Sequence, residues 1–292
     1  METVKFKAGD VTLTGNLFLP DTIEPVPGIV VAGTWTSVKE QMANRYAERL
    51  ADRGFAALSF DFTGYGESGG EPRDYELPER KIADIHHAVT FLADHPAVDA
   101  DRLGALGVCA AAMYMSANAA ADPRVRSLAL VAPWLHDLEI CHQVYGGADG
   151  VAGKLAEATQ ARANFEATGE VEYVPVVSGS DPRAAMPFDI DFYLNPSRGG
   201  LPQWPNRFAV MAWEGWLGYD SISLSSRITQ PVLLVHSEAA AIPEGARRFY
   251  AGLTGPKKSI WTDGDQFAFY DQEPQVTTAV NAAATHFTHT LP

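Results

Sequence analysis

Gly107-Val108-Cys109-Ala110-Ala111 follows a strand-like run, Arg102 to Leu106, and opens a small-residue helix, Ala110 to Ala121. A sharp strand-to-helix turn needs small neighbours, so that its middle side chain can stand exposed above a sheet. Here that side chain is a thiol, Cys109. A cysteine at a helix N-terminus meets free N–H groups and the positive end of the dipole, which favour thiolate. Thiolate is the form that attacks carbonyl carbon. Two of the eight histidines fall near the carboxyl ends of expected strands, where a base for Cys109 could sit. His136 follows Ala132-Pro133-Trp134-Leu135, with Asp137 and Glu139 beside it; His236 follows Val232 to Val235. A nucleophile and its base need only meet in space. Plainer roles stay open: His236 as a satisfied core residue, His136 as a hinge, Cys109 as a small buried hydrophobe.

The elements that must position these groups alternate along the chain. Residues 3 to 20 alternate apolar and polar around Gly15, which suggests an edge hairpin. Pro27 to Gly33, Phe55 to Phe60, Leu103 to Leu106, Ser127 to Ala132 and Val232 to Val235 are short apolar runs that suit strands buried on both faces. Helical patterns run from Glu40 to Arg53, closed by Gly54, and from Ile82 to Asp94; Lys39-Glu40 read as the start of the first. Strands alternating with helices predict an α/β fold with a mostly parallel, doubly wound sheet. Ligands of such sheets lie beyond the carboxyl ends of the strands. The rhythm breaks over 134–226, where helical pieces (Val151 to Gly169) give way to Pro, Gly and aromatic residues. We expect a lid there, inserted into a core of 1–133 and 227–292. Its aromatics mostly pack it down, and a few should line a pocket; Trp134, Tyr193, Trp213 and Trp216 are the candidates, with Phe267 from the core.

The formal net charge of −14 over 292 residues disfavours nucleic acid and anionic membranes as partners. No apolar run reaches the ~20 residues that span a bilayer. The opening residues read as a strand rather than a leader, so a cytoplasmic location is the expectation. Two cysteines exclude a disulfide framework. No Cys/His spacing suggests a metal, and Gly64, Gly66, Gly69 and Gly70 lack the lysine and helix of a phosphate loop. We expect no metal or organic cofactor, and a small hydrophobic molecule as the partner. A homodimer stays open.

Several of these motifs, in this order, resemble the α/β-hydrolase superfamily. Gly107 to Ala111 resembles its nucleophile elbow, with alanine at the last usual glycine. Asp61-Phe62-Thr63-Gly64-Tyr65-Gly66-Glu67-Ser68 resembles the loop common before the elbow. Gly33-Thr34-Trp35-Thr36 lies where the family places its oxyanion loop. The cysteine makes the chain look like the dienelactone-hydrolase-like branch. The resemblance covers residues 1 to about 133 and 227 to 292. It implies Cys109 as nucleophile and Glu238, after the strand ending at His236, as acid. It implies an oxyanion hole from the N–H of Ala110 with that of Thr34 or Trp35. In the last strand-to-helix turn Gln266 takes the slot of the usual histidine, and glutamine is no general base. Three functions follow. The first is hydrolysis of a small hydrophobic ester, thioester or lactone, assisted by His136 or His236. The second is non-hydrolytic carbonyl chemistry, by cyclisation or elimination. The third is an inactive pocket that binds an apolar ligand.

Overall fold

A computed structural model describes the whole chain, Met1–Pro292. The first half carries β1 (Glu2–Ala8), β2 (Val11–Phe18), β3 (Val26–Ala32), α1 (Ala43–Ala51), β4 (Ala56–Phe60), α2 (Pro78–Ala93), β5 (Val98–Val108), α3 (Ala111–Ala121) and β6 (Val125–Val131). Then come α4 (Leu138–Val144), α5 (Gly147–Thr168), β7 (Tyr173–Val174), α6 (Asp191–Leu194), β8 (Phe208–Ala209) and α7 (Ala212–Leu217). The chain closes with β9 (Val232–Ser237), α8 (Pro243–Gly252), β10 (Lys257–Thr262), α9 (Ala268–Asp271) and α10 (Gln275–Thr290). Eight strands form one sheet in the order β1-β2-β4-β3-β5-β6-β9-β10. The β1–β2 and β2–β4 pairs are antiparallel and the other five are parallel. Parallel neighbours require long crossovers, and the helices supply them. They cover the sheet, so β4 and β9 are buried along their whole length, as their unbroken apolar character anticipates.

Two local expectations change. The hairpin turns at Gly9-Asp10, while Gly15 lies inside β2. There a Cβ would stand 2.7 Å from the Ser59 carbonyl oxygen, so glycine marks a close approach of β4 rather than a turn. Lys39 does not start a helix, since α1 begins at Ala43. It is buried, with its ammonium 2.7 Å from Glu40, 2.8 Å from Asp61 and 2.6 Å from Glu67. A buried ammonium needs such partners, and these tie the loop after β3 to the loop after β4.

The chain between β6 and β9 shares one apolar core with the sheet, through residues such as Val174, Phe192, Phe208 and Trp213. Polar bonds also fasten it. Trp204 Nε1 donates to the Thr36 carbonyl at 2.9 Å, and Gln41 Nε2 to the Gly199 carbonyl at 2.7 Å. Arg198 grips Asp271 with two N–H groups, at 2.7 and 2.6 Å.

Candidate active site

The turn between β5 and α3 presents Cys109 as its small residues anticipate. Cys109 has φ +56°, in the left-handed region that side-chain-bearing residues seldom occupy. Such strain at a turn is a feature of functional positions. Gly107 permits it: a Cβ there would lie 2.7 Å from the Ala112 nitrogen. Cys109 N–H donates to Val131 at 3.0 Å, and its carbonyl accepts from Ala112 and Trp134. The backbone is thus fixed by β6 on one side and by the helix on the other.

Cys109 lies at the wall of a mostly apolar cavity of about 540 Å³. Thr34, Trp35 and Ala110 line it from the sheet side, with Gln266 and Phe267 from the loop before α9 and Tyr270 from α9 itself. Trp134, Tyr145, Lys154, Ile190, Tyr193 and Trp216 line it from the chain between β6 and β9. The N–H groups of Thr34 and Trp35 donate to no protein group, and that of Ala110 is directed to the Cys109 sulfur itself. Unspent backbone donors beside a nucleophile are what an oxyanion hole requires.

The loop carrying two of those donors is pinned from below. Thr36 stands at φ +55°, and its N–H donates to Glu76 Oε2 at 2.9 Å. That wholly buried carboxylate also accepts from Tyr65 at 3.0 Å, Lys81 at 2.8 Å and Tyr114 at 2.6 Å. Glu76 carries no motif of its own, so nothing in the sequence marks it. Its role comes from four segments meeting at one point.

No imidazole lines the cavity. His136 was a candidate base on its position after β6. Its ring is buried beneath the tryptophans: Nδ1 accepts from Trp134 Nε1 at 2.8 Å, and Nε2 lies 2.9 Å from the Trp216 carbonyl. The first bond requires a bare Nδ1, so Nε2 bears the proton and donates to Trp216. With both nitrogens engaged, and its pKa pushed down to about 4 by burial, His136 holds two cavity walls and is no base for Cys109. His236 is buried in β9 with neither ring nitrogen partnered, its ring 5.3 Å from that of Trp261. Burial lowers its pKa to about 4 as well. Glu238 turns out to solvent and pairs with Arg247, so it orients no imidazole in the cavity. Trp213 packs behind Trp35, ring centroids 5.7 Å apart, and does not line the cavity. Trp134, Tyr193, Trp216 and Phe267 do.

What surrounds the thiol is a set of neutral hydrogen-bonding groups. Gln266 Nε2 donates to the Ala132 carbonyl at 2.9 Å and to Tyr270 Oη at 3.2 Å, while its Oε1 accepts from Ala241 N–H at 2.9 Å. Tyr270 Oη lies 3.3 Å from Thr34 Oγ1. Burial pushes the Cys109 thiol above its ordinary pKa, against the opposing pull of Thr34, Tyr270, Ala110 N–H and Gln266. The helix N-terminus therefore does not prevail, and the resting group is a thiol. Tyr145, Ile190 and Lys154 were not singled out in the sequence. They reach the cavity through packing of the inserted chain, which periodicity does not encode.

Known proteins resemble this chain over much of its length. Residues 9–166 match the family described as X-Pro dipeptidyl-peptidase (S15 family). Uncharacterized protein PA2218 of Pseudomonas aeruginosa is 29% identical over 267 residues, covering 87% of this chain and 71% of that one. A crystal structure of PA2218 superposes with a TM-score of 0.87 at 26% identity, covering 99% of this chain and 93% of that one. Polyketide transferase af380 of Aspergillus fumigatus is 27% identical over 279 residues, covering 94% and 86% of the two chains. The α/β-hydrolase GrgF from Penicillium sp. sh18 superposes with a TM-score of 0.84 at 22% identity, covering 99% and 98%. The match spans more than half of the chain, from β2 into α5, and includes the turn that presents Cys109; the protein is a member of the X-Pro dipeptidyl-peptidase (S15) family, built on the α/β-hydrolase fold.

Proposed function

We propose that the protein transfers or hydrolyses acyl groups of small hydrophobic thioesters or activated esters, lactones included, through Cys109. The observation that carries this is the thiol held at φ +56° at the wall of an apolar cavity, beside unspent N–H donors. In the first step Cys109 Sγ bonds to the acyl carbon and the bond to the leaving thiol breaks. The Cys109 proton passes to the departing thiolate, with the hydroxyls of Thr34 and Tyr270 in reach to carry it. Thiol exchange is balanced in protons, so it needs no separate base. In the second step a hydroxyl, a thiol or water takes the acyl group and returns its proton to Cys109. Ala110 N–H with that of Thr34 or Trp35 would hold the oxyanion. Each such donor is worth about 3 kcal/mol of transition-state stabilisation. In this reading the chain between β6 and β9 is the lid that keeps the cavity dry, and Gln266 orients Tyr270 from the slot of the usual histidine.

The same reasoning argues against peptide hydrolysis at this site, despite the family's name. An amide's leaving amine must be protonated as it departs, and no imidazole lines the cavity to do so. A thiolate leaves unaided, and leaves faster the lower its pKa. In a second reading the acceptor is a hydroxyl of the bound acyl chain itself, held near the acyl carbon by the enclosing cavity, and the product is a ring. The name of the Aspergillus relative, a polyketide transferase, is consistent with acyl transfer.

Steady-state turnover tests the proposal. A medium-chain acyl thioester should be consumed by the wild type and not by Cys109→Ala, while a proline-containing dipeptide anilide is left intact by both. Equal thioester turnover in wild type and Cys109→Ala would refute it.

A further inference from the structure

Lys154 is the only cation lining the cavity, and it comes from α5. Its ammonium has no carboxylate within 4.0 Å and donates to no protein atom. The two fully buried lysines behave differently. Lys39 meets three carboxylates at 2.6 to 2.8 Å, and Lys81 meets Glu76 at 2.8 Å. The chain has 36 acidic residues against 22 Lys and Arg, so an acid partner is not scarce. Lys154 instead rests over aromatic faces, 4.3 Å from the Trp213 ring centroid and 5.9 Å from that of Tyr145. The side chain is half-buried and lines a cavity whose walls are mostly apolar. Asp265, the one carboxylate in the lining, is occupied in accepting Ala268 N–H at 2.8 Å.

We propose that Lys154 is a subsite for an anionic group carried by the substrate, so that the cavity takes an apolar acyl chain with a negative charge away from its reacting carbonyl. This rests on the acyl-transfer reading of the cavity. The charge can belong to a carboxylate on the acyl chain or to a phosphate on the thiol that carries it. Both offer oxygen acceptors to an ammonium that lacks one. A hydrogen bond to a charged group is worth ~1.5–3 kcal/mol, which corresponds to about tenfold or more in affinity.

Binding to Cys109→Ala separates this from catalysis. Four probes serve: a medium-chain dicarboxylic half-ester, its neutral diester, and an acyl thioester of pantetheine with and without the phosphate. Calorimetry should show at least one anionic probe binding about tenfold more tightly than its neutral partner. Lys154→Met in the same background should abolish that difference, and Lys154→Arg should keep it. The pair showing the difference identifies the source of the charge. Equal affinities within both pairs, no binding of any probe, or a difference that survives Lys154→Met would overturn the proposal. An absence of acyl transfer in the wild type, with the binding difference intact, would refute the catalytic reading alone.

Discussion

At the scale of single residues, the proposed chemistry rests on Cys109 and Gln266. The thiol is presented by a strained turn yet kept protonated by burial, and the polar groups around it are neutral. Gln266 spends both ends of its amide, on Ala132, Tyr270 and Ala241, so it orients Tyr270 but moves no proton. General acid–base catalysis by a positioned side chain contributes about 10²–10⁴-fold. Gln266→His would place an imidazole beside the thiol, in the slot we propose for the usual histidine. Hydrolysis of simple oxygen esters by that variant should rise by roughly tenfold or more over wild type, with optimum activity above the imidazole pKa. An unchanged rate, in protein shown by circular dichroism to be folded, would mean that the thiol does not govern deacylation.

At the scale of elements, the loop after β3 depends on a buried charge cluster. Glu76 joins that loop through Thr36, the loop after β4 through Tyr65, α2 through Lys81 and α3 through Tyr114. Removing one partner of a buried ion pair costs about 3–5 kcal/mol, because the other charge is left uncompensated. Glu76→Gln should therefore lower unfolding free energy by about that amount in urea titration. In the fraction that stays folded it should reduce kcat more than it raises KM, since the oxyanion donors shift while the apolar walls remain. A variant with lowered stability and unaltered kcat would confine Glu76 to the fold.

At the scale of the molecule, much of the architecture was legible because it follows from pattern. Apolar runs marked β3, β4, β6 and β9, and the small residues around Cys109 marked the turn and α3. Where glycine had two meanings the sequence misled: Gly15 looked like a turn and proved to be a close approach between strands. Position along the chain also misled for Glu238, since a residue just beyond a strand can face either way, and this one faces Arg247. His136 lies behind the cavity wall, and its two bonds to tryptophans, which remove it as a base, arise only in the packed structure. Lys154 and Glu76 left no local signal because their surroundings come from distant segments.

The central claim is that Cys109 takes an acyl group without an imidazole to help it, and intact-protein mass spectrometry tests this most directly. After brief exposure to a medium-chain acyl thioester, the wild type should carry one added acyl group, mapped by peptide digestion to Cys109. Cys109→Ala should carry none at that site. A wild type that consumes the thioester with no adduct at Cys109 at any time, including under rapid acid quench, would contradict the account.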